Sequence, residues 1–392
     1  MTGPDPGEAA VELAVRLVRT DSVNPALVPG AAGEGAAVAL LADRLAARGF
    51  ETRIVPGGAN GDRPSLLATH RGRGGGRSLL LNGHLDTVGV AGMDDPFGGR
   101  LDGDRLLGRG ACDMKGGVAA LVAAAETAAA AGTAGDVVLA LVADEEHASV
   151  GTEAVLAHLT AAGPLPDACL VAEPTWLDLV VAHRGYAVVG VELRGRAGHS
   201  SQPGLGVNAV THLGRLLAGV EARDAELAAA GQDAADSGLA GSLMSTVVAG
   251  GSSTFVLADR ATAVLERRTR PGEPSTVGLA EVEELLAALR AQDPAVDASA
   301  GLVLAREAWR ASPGAEPLAA ELTTALGDHD RPPGRRGAPY WMESALWEAA
   351  GVPTVVCGPG GGGLHAADEW GDVGEIRVFA RALTDVLNRF CG

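Results

Sequence analysis

Acidic residues and histidines stand at the ends of apolar, strand-like runs in this sequence. The run "VVLALVADEE" ends in Asp144, Glu145 and Glu146, and the run "SLLLNGHLD" contains His84 and Asp86. Three consecutive acidic side chains repel one another, and the burial of any of them without a partner costs free energy. A simple turn would use Gly, Asn or Pro at that place. The pattern therefore predicts that a cation compensates the charge of this turn.

Three further segments carry side chains that bind divalent metals. They are "GACDMKGG", "VAEPT" and "GLHAADEW", and they contribute Asp113, Glu173 and His365. With His84 and Glu146 they make a set of two imidazoles and three carboxylates that contains no thiolate. Such a set suits a pair of zinc or similar divalent ions with one carboxylate bridging them.

Composition narrows the classes of partner and compartment. The chain has 392 residues and a formal net charge of −18, which disfavours nucleic acid and anionic membranes as partners. Its four cysteines stand singly, which argues against a disulfide framework and favours a reducing cytoplasm. We find no apolar run of about eighteen residues that would span a membrane. The acidic N-terminus does not have the pattern of a signal peptide.

The order of strand-like and helix-like runs predicts an α/β protein of two domains. The first half alternates apolar strands with helices, which is typical of an α/β sheet covered on both faces, with ligands at the carboxyl ends of the strands. From about residue 183 the order becomes β-α-β-β-α-β, which predicts a ferredoxin-like module. We therefore expect a catalytic domain over 1–182 and 306–392, interrupted by an inserted lid or dimerisation domain over 183–305.

Taken together, these motifs resemble a family of co-catalytic zinc metallopeptidases. That family includes acetylornithine deacetylase, succinyl-diaminopimelate desuccinylase, aminoacylase and carboxypeptidase G, and the resemblance covers essentially the whole chain. It implies that His84 and Glu173 bind one metal ion and that Glu146 and His365 bind the other. It also implies that Asp113 bridges the two ions.

The resemblance assigns roles to residues around the metal pair as well. Glu145 would be the general base, and Asp86 would orient a metal-binding histidine, which its position on the same strand face also allows. Asp144 is expected to be solvated or hydrogen-bonded at the turn. His199, in "GRAGHSS", would stabilise the oxyanion of the tetrahedral intermediate across a homodimer interface formed by the inserted domain. Arg268, in "LERRTRPGE", would bind the carboxylate of the substrate.

The chain departs from the family pattern near the substrate. The stretch "GGSSTFVLADR" has Phe255 where relatives have an Asn that contacts the substrate, and Ala258 where they have a Pro. Glu343 stands where many relatives have Asp, and Trp341 and Trp347 lie near it in the sequence. We expect a site with fewer polar anchors and more aromatic surface, which would accept a bulkier or less charged amide.

The leading interpretation is a metal-dependent hydrolase that cleaves the amide of a small N-acylated amino acid or related amine. It would use two divalent ions, zinc first, with cobalt or manganese as alternatives. A dipeptidase or carboxypeptidase of the same family stays open, as does a non-catalytic binding protein on this fold. The segment "GPGGGG" would suit a nucleotide only if an amphipathic helix followed, and "LHAADEW" follows instead. We interpret its glycines as flexible backbone that lets His365 and the substrate approach closely.

Overall fold

The computed structural model describes residues 5–230 and 238–392, and the chain divides into two compact units. The first unit consists of Met1–Val181, Ala311–Arg336 and Met342–Gly392. The second unit consists of Ala182–Arg310 and Gly337–Trp341. The short segment Gly337–Trp341, which the sequence analysis assigns to the catalytic domain, thus belongs to the second unit.

The described residues form helices and strands in alternation. The α-helices are α1 (Pro6–Val18), α2 (Gly35–Ala46), α3 (Gly116–Ala131), α4 (Val150–Ala162), α5 (Ala209–Ala230), α6 (Val277–Gln292), α7 (Glu316–Asp328), α8 (Ser344–Ala349) and α9 (Val373–Phe390). The β-strands are β1 (Glu51–Gly57), β2 (Arg63–His70), β3 (Leu79–His84), β4 (Arg100–Asp102), β5 (Arg105–Leu107), β6 (Val137–Val142), β7 (Ala168–Val171), β8 (Leu179–His183), β9 (Gly185–Arg194), β10 (Ser242–Gly250), β11 (Arg260–Thr269), β12 (Asp297–Arg306), β13 (Trp309–Arg310), β14 (Arg335–Ala338), β15 (Thr354–Val356), β16 (Gly361–Gly362) and β17 (Trp370–Asp372).

The first unit is built on a mixed sheet with strand order β1-β2-β6-β3-β7-β15-β8. Strands β6, β3, β7 and β15 are parallel neighbours, whereas β1, β2 and β8 pair antiparallel. Every residue of β3, β6 and β7 is buried. Unbroken apolar strands are what a sheet covered on both faces requires. The α/β fold class predicted from the sequence is therefore confirmed.

Alanine-rich helices form the largest core of the first unit. Helix α3 has the sequence "GGVAALVAAAETAAAA" and is buried over most of its surface, and the residue that caps its carboxyl end is Gly132, whose φ is +84°. Alanine has the highest helix propensity, and its small side chain lets helices approach the sheet closely. Helix α3 packs against α1 and α9, and α9 packs against α7. None of the helices in the described residues is long and apolar enough to cross a bilayer.

A small antiparallel sheet of the first unit joins two loops that are distant in the sequence. Its strand order is β16-β17-β5-β4. The segment of Asp113 follows β5, and the segment of His365 lies between β16 and β17. Because β17 pairs directly with β5, these two segments lie side by side.

The second unit has the predicted β-α-β-β-α-β order, β9-α5-β10-β11-α6-β12. Its sheet has the strand order β10-β11-β9-β12, with all neighbours antiparallel, as in ferredoxin-like modules. Residues of β9 alternate between buried and half-buried, so one face of the sheet packs on α5 and α6. This alternation is the period-two pattern of a sheet with one covered face.

We expect the truncation of one buried side chain in the core of the first unit to lower the stability of the protein. Leu383 on α9 is fully buried, so Leu383→Ala should lower the free energy of unfolding by about 2–5 kcal/mol. Leu101 on β4 is 48% exposed, and Leu101→Ala should change this free energy by less than about 0.5 kcal/mol. Urea denaturation followed by circular dichroism measures both. Equal effects of the two substitutions would contradict the described core.

Candidate metal centre

Three neighbouring parallel strands end at the candidate site. Strand β3 ends at His84, β6 is followed by the acidic turn 144–146, and β7 is followed by the segment of Glu173. These strands lie in the order β6-β3-β7. Because the carboxyl ends of parallel strands meet at the same edge of a sheet, the topology brings together side chains that are far apart in the sequence.

The carboxylate of Asp113 lies between the two histidines. Its Oδ1 is 3.1 Å from Nε2 of His84, and its Oδ2 is 3.3 Å from Nε2 of His365. Oε1 of Glu173 lies 3.9 Å from the same His84 nitrogen. Oε2 of Glu146 lies 3.2 Å from the His365 nitrogen. The five side chains thus form two groups, and Asp113 presents one oxygen to each group.

The spacing of these atoms fits metal coordination. Two donors that are each about 2.1 Å from one tetrahedral ion lie about 3.4 Å apart, and the four distances range from 3.1 to 3.9 Å. Ligand atoms of His84, Asp113 and Glu146 lie within 4.8 Å of one another. Ligand atoms of His84, Glu145 and Glu173 do so as well. Imidazoles with carboxylates are ligands that zinc accepts, and carboxylates also suit manganese.

The acids of the site carry more negative charge than the neighbouring side chains compensate. Burial raises the pKa of Glu145 well above its usual value, and the charge of Glu173 raises it further. Burial also raises the pKa of Glu173 and of Glu146, and the charge of Asp113 adds to both shifts. A bound cation would lower each of these pKa values. The electrostatics of the cluster therefore favour the binding of cations.

The neighbouring acids raise the pKa values of the two histidines as well. Burial alone would lower the pKa of His84, but the hydrogen bond to Asp113 and the charge of Glu173 raise it well above its usual value. Hydrogen bonds to Asp113 and Glu146 raise the pKa of His365 to about 10. The neighbouring carboxylates thus favour the protonated form of both rings. Because a metal ion binds the neutral imidazole, a bound ion would compete with protons at these two nitrogens.

Asp86 holds the acidic turn through its carboxylate. Its Oδ1 accepts the backbone N–H of Glu145 at 3.0 Å, and its Oδ2 accepts that of Glu146 at 3.2 Å. Nδ1 of His84 lies 3.0 Å from the backbone carbonyl oxygen of Asp86 and 3.7 Å from its Oδ1. The hydrogen bond between Asp86 and His84 thus uses the main chain, and the side chain of Asp86 orients the turn that carries Glu145.

Asp144 is hydrogen-bonded within the protein rather than solvated. Arg63 donates to its Oδ1 at 2.6 Å, and Asn24 donates to the same oxygen at 3.0 Å. The Asn24 amide also donates to Oδ2 of Asp86 at 2.8 Å, and Arg63 forms an ion pair with the buried Glu34. Asp144 has φ of +71°, a left-handed conformation that Asp adopts more readily than most residues. This network therefore fixes the shape of the acidic turn.

The sequence analysis did not identify Asn24, Arg63 or Glu34. Asn24 lies in "DSVNPAL", where an Asn before Pro is an ordinary turn residue. Arg63 could have been identified from its position, because it is a charged residue at the start of a strand whose other residues are mostly buried. A charged residue in such a place requires a buried partner. Nothing local indicates which acid that partner is.

The glycine-rich segment packs closely against the site. A Cβ atom on Gly358 would lie 2.4 Å from the carbonyl oxygen of Ala172 and 2.6 Å from that of Glu173. A Cβ atom on Gly360 would lie 2.4 Å from the ring of Trp176. The backbone that carries Glu173 and the indole ring thus occupy the space that side chains would need. Close packing, rather than the flexibility expected from the sequence, accounts for these glycines.

In the second unit, the loop of His199 pairs with the loop of Phe255. The backbone N–H of Ser200 donates to the carbonyl oxygen of Phe255 at 3.0 Å. The backbone nitrogen and the hydroxyl of Ser201 lie 3.2 and 2.8 Å from Nδ1 of His199, so this side of the ring is hydrogen-bonded. Phe255 is 67% exposed. A large apolar side chain that is this exposed is available for contact with a ligand or a partner.

Arg268 lies in the second unit beside a second arginine. Its Nε donates to Glu266 at 2.6 Å, and its guanidinium lies 5.4 Å from the ring centre of Tyr186. Arg184, which the sequence analysis did not single out, lines the same cavity of about 330 Å³, as does Tyr340. Burial lowers the pKa of Arg184, and the positive charge of Arg268 lowers it further. Two neighbouring guanidinium groups favour the binding of an anion such as a carboxylate.

The expected aromatic surface is not provided by Trp347. This residue is fully buried in the first unit and adds no aromatic surface to a site. Trp341 belongs to the second unit, donates its Nε1–H to the carbonyl oxygen of Glu307 at 3.2 Å and packs edge-on against Tyr186. Glu343 is buried as well, and burial raises its pKa to about 7.

One protein family and several curated proteins are similar to this chain. Residues 80–389 match the model of Peptidase family M20/M25/M40. A succinyl-diaminopimelate desuccinylase of Cereibacter sphaeroides is 32% identical over 393 residues, which cover 96% of this chain and 98% of the relative. A succinyl-diaminopimelate desuccinylase of Dinoroseobacter shibae is 39% identical over 226 residues, which cover 54% of this chain and 57% of the relative.

Solved structures share the fold at low identity. A tripeptidase from Staphylococcus aureus has a TM-score of 0.82 at 15% identity, over 98% of each chain. A dinuclear metal binding peptidase of the M20 family from Bacillus subtilis has a TM-score of 0.73 at 13% identity, over 98% of this chain and 99% of that one. The family match and the full-length relative together establish that this chain belongs to Peptidase family M20/M25/M40 and is a hydrolase of amide bonds.

Proposed function

We propose that this enzyme removes the acyl group from an N-acylated amino acid or a related amine. The observation that carries the proposal is the carboxylate of Asp113, which presents one oxygen to each of two histidines. This arrangement suits a pair of metal ions that act together on an amide. The relatives that match the chain over its full length are named succinyl-diaminopimelate desuccinylase, an activity of the same class.

The proposed ligand set consists of the five side chains grouped around Asp113. His84 and Glu173 would hold one ion, His365 and Glu146 the other, and Asp113 both. When bound, such a pair polarises an amide carbonyl and lowers the pKa of a water molecule toward neutrality. Zinc suits these ligands best, with cobalt and manganese as alternatives.

Glu145 is the general base in this proposal. Its carboxylate lies within 4.8 Å of ligand atoms of His84 and Glu173, and Asp86 holds its backbone N–H. Glu145 accepts a proton from the attacking water and delivers it to the nitrogen of the departing amine. The same carboxylate thus serves as the base in the first step and, once protonated, as the acid in the second.

The second unit supplies candidate contacts for the substrate. Arg268 and Arg184 line one cavity, where they would bind a carboxylate of the substrate through charge-assisted hydrogen bonds. Phe255 would contact an apolar part of the acyl group or the amine, since its exposed ring cannot replace the hydrogen bonds of an amide side chain. His199 would stabilise the oxyanion of the tetrahedral intermediate.

The same unit has a surface suited to a homodimer. Strand β10 lies at an edge of its sheet, and three apolar side chains on it are exposed: Met244, Val247 and Val248. An open apolar edge is a template for pairing with another strand. We propose that β10 pairs with a second copy of this chain, and that His199 of one protomer acts in the site of its partner.

Net charge and cysteine chemistry bear on the class of substrate and on the cellular compartment. A net charge of −18 favours small-molecule substrates over nucleic acid or anionic membranes. All four cysteines are free and buried. Free thiols without a disulfide framework support our proposal that the enzyme works in the cytoplasm.

Replacing Glu145 should separate catalysis from metal binding. Glu145→Gln keeps the size of the side chain but removes the base, so turnover should fall ~10²-fold or more. Elemental analysis should still find about two divalent ions per chain. Glu146→Gln is the matched control and should lose metal as well as activity. Full activity of Glu145→Gln would show that another group is the base, and absence of metal from the wild type would refute the metal pair.

A mixture of two inactive variants should test the shared site. A missing oxyanion donor raises the barrier by roughly 3–4 kcal/mol, so His199→Ala and Glu145→Gln should each be nearly inactive. A mixed dimer contains one site with both groups intact, and activity should therefore return after subunit exchange. Val247→Lys should abolish the dimer in light scattering and prevent this recovery. No recovery in a mixture of proven mixed dimers would show that His199 acts within its own chain or not at all.

A substrate panel with zinc or cobalt tests the deacylase proposal and the role of Phe255 together. N-acetyl and N-succinyl amino acids should be hydrolysed with higher kcat/KM than dipeptides, and the reverse order would favour a dipeptidase. Phe255→Asn should shift the preference toward small N-acyl amino acids, because an amide can pair with their carboxylate and a ring cannot. Val256→Asn is the matched control on the neighbouring residue. An unchanged ranking in Phe255→Asn would show that the ring packs in the loop without meeting the substrate.

A further inference from the structure

A buried carboxylate outside the proposed ligand set contacts the segment that carries Asp113. Glu369 is 2% exposed and lies in the same loop as His365. Its Oε1 accepts the backbone N–H of Cys112 at 3.0 Å and that of Asp113 at 3.1 Å. Its Oε2 accepts the backbone N–H of Gly110 at 3.0 Å. One carboxylate therefore satisfies three backbone donors that would otherwise be buried without an acceptor.

The charge of Glu369 is compensated inside the protein. Arg109 is also 2% exposed, and its guanidinium donates to Oε2 of Glu369 at 2.6 Å. Nε of Arg109 donates to the carbonyl oxygen of Gly89 at 3.0 Å, which holds the guanidinium in place. A buried ion pair that lost one partner would leave an uncompensated charge, which is strongly destabilising. The side chains of Glu369 and Arg109 thus have little freedom to move.

The backbone of the same loop packs on the Asp113 segment. The N–H of Gly108 donates to the carbonyl oxygen of Glu369 at 3.3 Å. A Cβ atom on Gly371 would lie 2.4 Å from the carbonyl oxygen of Ala111, so the two chain segments approach as closely as glycine allows. The hairpin of β16 and β17 and the segment of Asp113 therefore form one packed element.

We propose that Glu369 is a positioning residue that sets the distance between Asp113 and His365, an inference that rests on the proposed metal pair. The His365 side chain is half exposed, and its backbone is in the left-handed region with φ of +61°. Burial around the ring therefore does little to hold it. The side chain of Glu369 joins the loop of His365 to the backbone nitrogen of Asp113. Partners that orient metal ligands in this way contribute strongly to metal affinity.

Glu369→Gln tests the proposal on the full-length protein. The amide presents an NH₂ group where the carboxylate presents an acceptor, so at least one backbone N–H loses its partner and Arg109 loses its counter-charge. Competition with a chelator should show a loss of about 10–100-fold in affinity for the ion that Asp113 and His365 share. In the protein loaded with two cobalt(II) ions, the magnetic coupling through Asp113 should weaken in electron paramagnetic resonance spectra.

Glu126→Gln is the matched control for the loss of a buried ion pair. Glu126 lies on α3, and its carboxylate accepts two hydrogen bonds from Arg44 at 2.7 and 2.8 Å. This variant should unfold more easily, as Glu369→Gln should, but keep wild-type metal affinity and wild-type coupling. If Glu369→Gln also kept both, the positioning role would be refuted while the metal pair of the wild type stood. A wild type that bound no metal would refute the proposed function itself.

Hydrogen exchange of the wild-type protein gives a second test that does not depend on the folding of a variant. The amides of Gly110, Cys112 and Asp113 should exchange as slowly as those of the buried strand β6, with and without zinc. Slow exchange before zinc is added means that Glu369 arranges the segment in advance. Fast exchange in the metal-free protein that slowed only on addition of zinc would overturn the proposal, because the metal would then order the segment.

Discussion

Repulsion among carboxylates at one edge of a sheet is the constraint on which the rest of this site depends. Asp113, Glu145, Glu146 and Glu173 gather there because three parallel strands and a small second sheet end at the same place. Burial and mutual repulsion raise the pKa values of the three glutamates. The two histidines relieve only part of this charge. The cluster is thus a site of high free energy until cations bind, which is what makes it suited to hold them.

Such a cluster persists only because the surrounding structure holds each acid in place. The carboxylate of Asp86 accepts hydrogen bonds from backbone N–H groups of the acidic turn. Asn24 and Arg63 donate hydrogen bonds to Asp144 in the same turn. Glu369 binds the segment of Asp113 from the other side. Each of these buried polar groups has its hydrogen bonds satisfied, and we propose that together they arrange the ligands before a metal ion binds. Arrangement in advance lowers the cost of binding and of catalysis.

We propose that recognition of the substrate is where this enzyme departs most from the family pattern. The proposed hydrolytic groups are present, whereas the exposed ring of Phe255 stands where the family resemblance leads us to expect a polar side chain. Positive charge is available from Arg184 and Arg268 in one cavity of the second unit. A carboxylate at one end of the substrate and apolar surface at the other would match this combination. Under this proposal the chain keeps the hydrolytic chemistry of the family and differs in the amide that it accepts.

The sequence by itself determined the family and the α/β fold class, and it indicated a hydrolase of amide bonds. Apolar runs followed by ligand residues are local patterns, so they can be recognised without a structure. It did not show that Glu369 binds the backbone beside Asp113, or that Asp144 pairs with Arg63. Nor did it show that Trp347 is buried in the core. Hydrogen-bond partners and burial depend on segments that are distant in the chain, and only the packing of the tertiary structure brings those segments together.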